Sequence, residues 1–151
     1  MCRSSWKKIL LFRLIIMKNE MIEKFCIQIP CKFKDILKKF NQNLNGIVFV
    51  IDKNKKLIGS ISDGDIRRKL LQKNKNINTI SNKFQIINRK TIYGNINDNK
   101  EKLLELFSSQ KPKIKCLPLL NNQKKVVDIC LLDKLNSIPL LQPFIDKSEI
   151  N

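Results

Sequence analysis

The chain has 151 residues, and 42% of them are hydrophobic, which is enough for the core of one compact domain or of two packed repeats. The formal net charge of +17 comes mainly from lysines scattered beside Asn and Ile, without the aromatic interleaving of a nucleic-acid-binding stripe. There is no histidine and no C-x-x-C pair, which excludes a Cys/His zinc motif and removes the commonest general base.

The segment 1–20 is the least domain-like part of the chain. After a basic start, an apolar run extends from Ile9 to Ile16, interrupted by Arg13. This run is too short to span a bilayer, and no small-residue cleavage site follows it. We interpret the segment 1–20 as a disordered or non-native leader, with Met17 or Met21 as the true start. An amphipathic surface anchor is the alternative.

The first domain-like elements lie between positions 25 and 43. Phe25 to Pro30 reads as a short extended segment that ends at the proline. Ile36, Leu37 and Phe40 have helical spacing, and they predict a helix over 34–43 with one buried face.

The central stretch predicts a hairpin that leads directly into a helix. Two apolar segments, 47–51 and 57–61, flank a polar turn and read as strands. Ser62 is followed by Asp65 one helical turn later, the S-x-x-D pattern of a capped helix start. The apolar positions that follow carry this helix to Leu71.

The second half repeats the first after a polar linker at 72–78. The stretch from Ile47 to Ile66 superposes without a gap on the stretch from Cys116 to Leu135, which indicates an internal repeat. Before the repeated stretch, Tyr93-Gly94-Asn95 is interpreted as a turn and Lys102 to Phe107 as a helix.

The polar positions of the first half do not survive this superposition. Gly59 becomes Asp128, Ser62 becomes Leu131 and Asp65 becomes Lys134. The second repeat therefore keeps the packing pattern and loses the polar chemistry. Two prolines and a polar end after Leu135 predict an extended tail.

The segments GIVFVID and LIGSISDGDIRRKLL closely resemble a CBS domain, a regulatory module that occurs in tandem pairs. The DGDIRR version is most similar to the pair that precedes bacterial sugar-phosphate nucleotidyltransferases of surface-glycan pathways. The resemblance implies an α/β (α+β) fold with two β-α-β-β-α repeats in one pseudo-symmetric module. Repeat 1 would cover 21–78, a degenerate repeat 2 would cover 79–138, and the tail would cover 139–151.

The family motif G-h-x-[TS]-x-x-D is matched by Gly59, Ser62 and Asp65. Ser62 lies at a helix N-terminus, where backbone N–H groups and the helix dipole favour a phosphate. The resemblance gives Asp65 the role of accepting hydrogen bonds from the ribose hydroxyls. Taken without the family, Ser62 and Asp65 could simply form a capping box.

Four further residues complete the predicted nucleotide site. The family's pocket would hold the adenine ring near Ile29, Ile47 and Val48, although these residues could equally be ordinary core. Arg67, one turn into the helix, could pair bidentately with a phosphate. Its neighbour Arg68 is as readily explained by solvation.

We therefore predict a cytoplasmic regulatory module without catalytic residues, metal site or required cofactor, whose ligand is AMP, ADP or ATP. A homodimer is expected, and a nucleotidyltransferase catalytic domain is a further partner, because the chain itself contains no glycine-rich GGxGTR-like loop. We expect neither nucleic acid nor a membrane as partner. The alternatives are a structural homodimerisation module with a vestigial pocket and a basic nucleic-acid-binding domain.

Overall fold

The structure is a computed structural model that describes residues 3–72, 79–80 and 86–137. Most of the predicted linker at 72–78 and the predicted tail at 139–151 lie outside the described residues. In chain order, the described elements are α1 (Arg3–Phe25), β1 (Cys26–Gln28), β2 (Cys31–Lys32), α2 (Phe33–Asn43), β3 (Ile47–Ile51), β4 (Leu57–Ser62), α3 (Asp63–Leu71), β5 (Thr79–Ile80), β6 (Gly94–Asn95), α4 (Lys100–Ser108), β7 (Cys116–Leu120), β8 (Val126–Leu131) and α5 (Leu132–Ser137).

Two three-stranded sheets form the two halves of the described fold. Their strand orders are β1-β3-β4 and β6-β7-β8, and each combines a parallel pair with an antiparallel hairpin. The first hairpin pairs Ile47 with Ser62, and the equivalent positions of the second hairpin, Cys116 and Leu131, are paired as well. Both hairpins also share a register irregularity before the last residue of their first strand. The predicted repeat and α/β fold class are confirmed.

The two hairpin turns have the same internal hydrogen bonds. Asp52 Oδ1 accepts from the N–H groups of Asn54 and Lys56 at 2.8 and 2.9 Å, and Asn121 Oδ1 accepts from the equivalent N–H groups at 3.0 and 3.1 Å. The change from aspartate to asparagine keeps the one oxygen that the turn needs. Lys55 and Lys124 take the left-handed conformation at φ 65° and 63°.

The tips of the two hairpins are hydrogen-bonded to each other. Leu57 N–H donates to Lys124 O at 3.3 Å, and Val126 N–H donates to Lys55 O at 3.0 Å. Leu57 is equivalent to Val126 and Lys55 to Lys124, so the tips meet on the pseudo-two-fold axis between the repeats.

The two sheets share part of their core. One cluster combines the first repeat with Ile86 and Ile87, a second lies within the second repeat, and a third contains residues from both repeats together with the end of α1. Its buried members are Phe25, Cys26, Phe49, Ile51, Cys116, Leu120, Val126 and Ile129. The repeats therefore bury apolar surface against each other.

Helix α1 differs from the predicted disordered leader, because the segment 3–20 is helical. The segment 3–25 contains neither Gly nor Pro, so nothing in the sequence interrupts the helix. Its end packs on the shared core through buried Phe25 and half-buried Met21 and Ile22. Lys18 lies 3.9 Å from the Asp128 carboxylate on β8. The interpretation of this segment as a non-native leader stays a prediction. Within the described ranges, no helix combines the length and apolar character needed to cross a membrane.

The interpretation of 93–95 as a turn is wrong, because Gly94 and Asn95 form β6 and pair in parallel with β7. A Cβ on Gly94 would lie 2.8 and 2.9 Å from side-chain atoms of Leu103 and Leu119. The glycine therefore allows close packing within a strand rather than a reversal of the chain.

Each repeat is covered by the segment that precedes the other. The stretch 86–92, here named the crossing segment, lies beside β4, where Ser60 N–H donates to Asn88 O at 3.0 Å and Asn88 N–H donates to Ser60 O at 2.8 Å. A Cβ on Gly59 would lie 2.4 Å from Asn88 O, so glycine is needed at this position. In the second repeat α1 covers β8, and the larger Asp128 fits at the equivalent position.

Candidate ligand-binding cleft

A capping box connects Ser62 and Asp65 at the start of α3. Asp65 Oδ2 accepts from Ser62 N at 2.8 Å and from Ser62 Oγ at 2.7 Å, while Asp65 N donates to Ser62 Oγ at 3.1 Å. The other carboxylate oxygen, Oδ1, accepts from Arg68 Nη2. The local sequence pattern thus fixes the position of both side chains before any ligand is considered.

The box leaves one N–H group available at the N-terminus of α3. Asp63 N–H donates to Gly46 O at 2.8 Å, and Asp65 N–H is bonded within the box. Gly64 N–H has no acceptor among the residues that the structure describes. A side-chain atom, Arg68 Nη1, would lie 3.5 Å from a Cβ placed on Gly64. An N–H group and a guanidinium therefore lie close together at this helix end.

The capping box forms one wall of a cleft between the two repeats. The cleft has a volume of about 350 Å³, within the range usual for small-molecule sites. Three parts of the chain line it: the first repeat, the crossing segment and the approach to β7. Their lining residues are Ile47, Phe49, Ser60, Ser62, Asp65 and Arg68; Asn88, Lys90, Thr91 and Ile92; and Gln110, Lys111, Pro112, Ile114 and Cys116.

Three of the seven residues predicted to bind a nucleotide line this cleft: Ile47, Ser62 and Asp65. Ile29 and Val48 lie in the core of the first repeat, with 7% and 0% of their surface exposed. The alternative reading of these two residues as ordinary core therefore describes where they lie, and their contact with a ligand stays a prediction.

Gly59 and Arg67 also lie away from the cleft lining. Gly59 is buried against the crossing segment, and this packing alone explains the glycine. Arg67 is exposed and pairs with Asp63 at 2.6 Å. Its neighbour Arg68 is the arginine that lines the cleft, because it follows Asp65 by three positions and such residues lie on the same side of a helix.

The other cationic and hydroxyl groups of the cleft could not be recognised from sequence motifs. Lys90 and Lys111 are two among 30 basic residues, and no motif distinguishes them. Thr91 Oγ1 donates to Ser60 Oγ at 2.7 Å, which ties the crossing segment to β4. Together with Arg68, the two lysines give the cleft three cations against the single carboxylate of Asp65, a balance that favours an anionic ligand.

The one thiol in the cleft lining is not placed for nucleophilic chemistry. Burial raises the pKa of Cys116 to about 12, so the thiol is protonated at neutral pH. Within the described ranges, no group of three or more Cys, Asp or Glu side chains is arranged to hold a metal ion.

Comparisons with known proteins identify the fold. The segment 20–72 matches the family model of the CBS domain. Solved structures of CBS-pair proteins match about three quarters of the chain, which shows that both halves together have the CBS-pair fold. A comparison with curated proteins gave no match.

Three solved structures illustrate the match. Staphylococcus aureus OpuCA is 16% identical with a TM-score of 0.60, over 76% of this chain and 90% of that chain. CBSX2 in complex with AMP is 18% identical with a TM-score of 0.59, over 76% and 86%. The CBS domain pair of MJ0100, in complex with 5′-methylthioadenosine and S-adenosyl-L-methionine, is 18% identical with a TM-score of 0.58, over 74% and 84%.

Proposed function

We propose that this CBS pair is a regulatory module that binds one adenine nucleotide in the cleft between its repeats. The observation that carries the proposal is the cleft itself, where the Ser62–Asp65 box stands beside Arg68, Lys90 and Lys111. The adenine-containing ligands of CBSX2 and MJ0100 support it, because both proteins share the fold.

The groups around the box suggest how the ligand binds. Gly64 N–H and Arg68 would receive a phosphate, since the Arg68 side chain is 72% exposed and its guanidinium can turn from Asp65 towards an anion. Asp65 already accepts three hydrogen bonds, and a carboxylate has about four acceptor positions, so it can accept from a ribose hydroxyl. Ile47 is the predicted adenine contact that lines the cleft.

Calorimetric titration of AMP, ADP and ATP tests the proposal. We expect one site per chain and a loss of affinity in Asp65→Ala of roughly ten- to a hundred-fold, because a hydrogen bond to a charged acceptor contributes about 1.5–3 kcal/mol. The substitution also removes the helix cap, so binding is measured well below the melting temperature of the variant. Lys134→Ala, at the equivalent position of the second repeat, is the matched control and should bind as the wild type does.

Two results would overturn the single-site assignment: two equivalent sites, or an Asp65→Ala protein with wild-type affinity. Absence of binding by all three nucleotides would instead favour a structural homodimerisation module with a vestigial pocket. The observation in favour of that second function is that both Asp65 oxygens are already bonded within the protein.

The assembly and context of the module are part of the same proposal. A homodimer would bury the outer face of α2, where Leu37 is 40% exposed, and an apolar groove of about 470 Å³ beside α4. Sedimentation at micromolar concentration should show a dimer, and a single 17.7 kDa species would contradict it.

We further propose that the module serves a cytoplasmic sugar-phosphate nucleotidyltransferase. A frame encoding a GGxGTR-like loop next to this gene would support that link.

A further inference from the structure

The first half of α1 is an exposed apolar helix. Eight large hydrophobic side chains between Ile9 and Met17 are each 41–64% exposed, and only Arg13 interrupts them. Since an α-helix has about 3.6 residues per turn, the run from Ile9 to Met17 passes around its circumference more than twice. The apolar surface therefore covers every side of the helix, unlike an amphipathic helix that packs against one partner.

This exposed half is held by the rest of the protein. The helix continues without a break to Phe25, which is buried in the core shared by the repeats, and Lys18 is paired with Asp128. The segment 9–17 therefore projects from a fixed base. The sequence excluded a membrane span because the run is too short, and it left an amphipathic surface anchor as the alternative to a leader without a membrane partner. The structure adds that the run is helical and that its C-terminal end is anchored in the protein.

Charge distinguishes between the surfaces that could cover this helix. The segment 3–18 contains five basic residues, Arg3, Lys7, Lys8, Arg13 and Lys18, and no acidic residue. A second copy of α1 would bring like charges against these, whereas an anionic lipid surface brings the opposite charge. Acyl chains can also surround a helix that is apolar on all sides, which a single protein surface cannot do.

We infer that the segment 3–18 of α1 inserts into the interface of an anionic lipid membrane. The apolar part, 9–17, is about 13 Å long, less than half of a hydrocarbon core of about 30 Å. The helix therefore lies along the surface of one leaflet and does not cross the bilayer, because insertion along the membrane normal would carry Lys7 and Lys8 to the bilayer centre. Lys7 and Lys8 remain among the headgroups, and the Arg13 guanidinium reaches back towards them along its aliphatic stem.

The test is flotation of the full chain with vesicles of one part phosphatidylglycerol to two parts phosphatidylcholine, compared with vesicles of phosphatidylcholine alone. We expect binding to the anionic vesicles that weakens as salt increases. Phe12→Asp should lower the affinity at least ten-fold, while its melting temperature stays unchanged because Phe12 is 64% exposed. Leu71→Asp, at an 82% exposed leucine on α3, is the matched control and should bind as the wild type does.

A second pair of variants separates insertion of α1 from the attraction of any basic protein to anionic lipid. Lys7→Gln with Lys8→Gln should weaken binding roughly thirty-fold, whereas Lys53→Gln with Lys56→Gln, at exposed lysines of a hairpin turn, should change it little. Equal losses in the two double variants, or no binding to the anionic vesicles, would overturn the inference. So would self-association in lipid-free solution that Phe12→Asp abolishes, since the helix would then be covered by a second copy.

Discussion

Replacing Gly59 with alanine tests the packing of the crossing segment against the first repeat. A Cβ at this position would lie 2.4 Å from the carbonyl oxygen of Asn88 and 2.6 Å from Cγ2 of Ile87. The Ile87 methyl can rotate away, but the Asn88 carbonyl is backbone and must move by about 1 Å to reach an ordinary contact distance. The perturbation therefore acts on the crossing segment itself.

Two routes are open to the variant, and both destabilise it. If the segment stays, the overpacking costs about 1–3 kcal/mol. If it moves, the bonds between Ser60 and Asn88, at 3.0 and 2.8 Å, are lost at about 1 kcal/mol each. Alanine also lowers the conformational entropy of the unfolded chain, which offsets about 0.4–1 kcal/mol of this loss. We expect the free energy of unfolding to fall by roughly 2 kcal/mol.

Urea denaturation measures this loss as a lower midpoint at an unchanged slope. The matched control is Gly64→Ala, where the new Cβ would meet only ordinary contacts at 3.5 and 3.7 Å in the first turn of a helix. That variant should be as stable as the wild type or up to about 1 kcal/mol more stable. A Gly59→Ala protein within about 0.5 kcal/mol of the wild type would refute the close approach of Asn88 to β4.

Two further predictions concern α1 and the thiols. Deleting the segment 1–16 should leave the free energy of unfolding nearly unchanged, because the side chains from Lys7 to Ile16 are exposed. Phe25→Ala, at a buried position of the same helix, should instead reduce the free energy of unfolding by about 3–5 kcal/mol. A loss above about 2 kcal/mol on deletion would contradict the first expectation. Burial raises the pKa of Cys26 and of Cys116 to about 12, so both thiols should resist alkylation in mildly alkaline buffer. The free energy of unfolding should fall as the pH rises above 9.0, the ordinary pKa of a thiol, because the unfolded chain then loses these protons first. Rapid labelling of both thiols in the folded protein would contradict their burial.

The elements of the fold that could be predicted from the sequence are those with local signals. The hairpin and the start of α3 follow from alternation, turn residues and a capping pattern that all lie between Ile47 and Asp65, and the structure has these elements within one residue of the prediction. The second hairpin could be predicted because its sequence superposes on that of the first without a gap. Gly94 shows the limit, since the side chains of Leu103 and Leu119 that require a glycine there follow 9 and 25 residues later, and a glycine alone suggests a turn.

The residues of the candidate site also differ in whether a local sequence pattern could predict them. Ser62 and Asp65 were predictable because they hydrogen-bond each other within one helical turn. Lys90, Lys111 and Thr91 reach the cleft only because the crossing segment and the approach to β7 fold against the first repeat. No pattern near those residues encodes that contact. The contact of the end of α1 with β8 was missed for a related reason, since β8 is a strand of the other repeat that is remote in sequence.

The hydrogen bonds between the hairpin tips make the two repeats dependent on each other during unfolding. If the second repeat opened alone, Leu57 N–H would lose its acceptor and Phe49 of the shared core would be exposed to water. If the first repeat opened alone, Val126 N–H would lose its acceptor and Leu120 would be exposed. Such a half-folded chain would keep little of the buried apolar surface that stabilises it. We therefore expect the duplicated sequence to unfold as one cooperative unit, in a single transition.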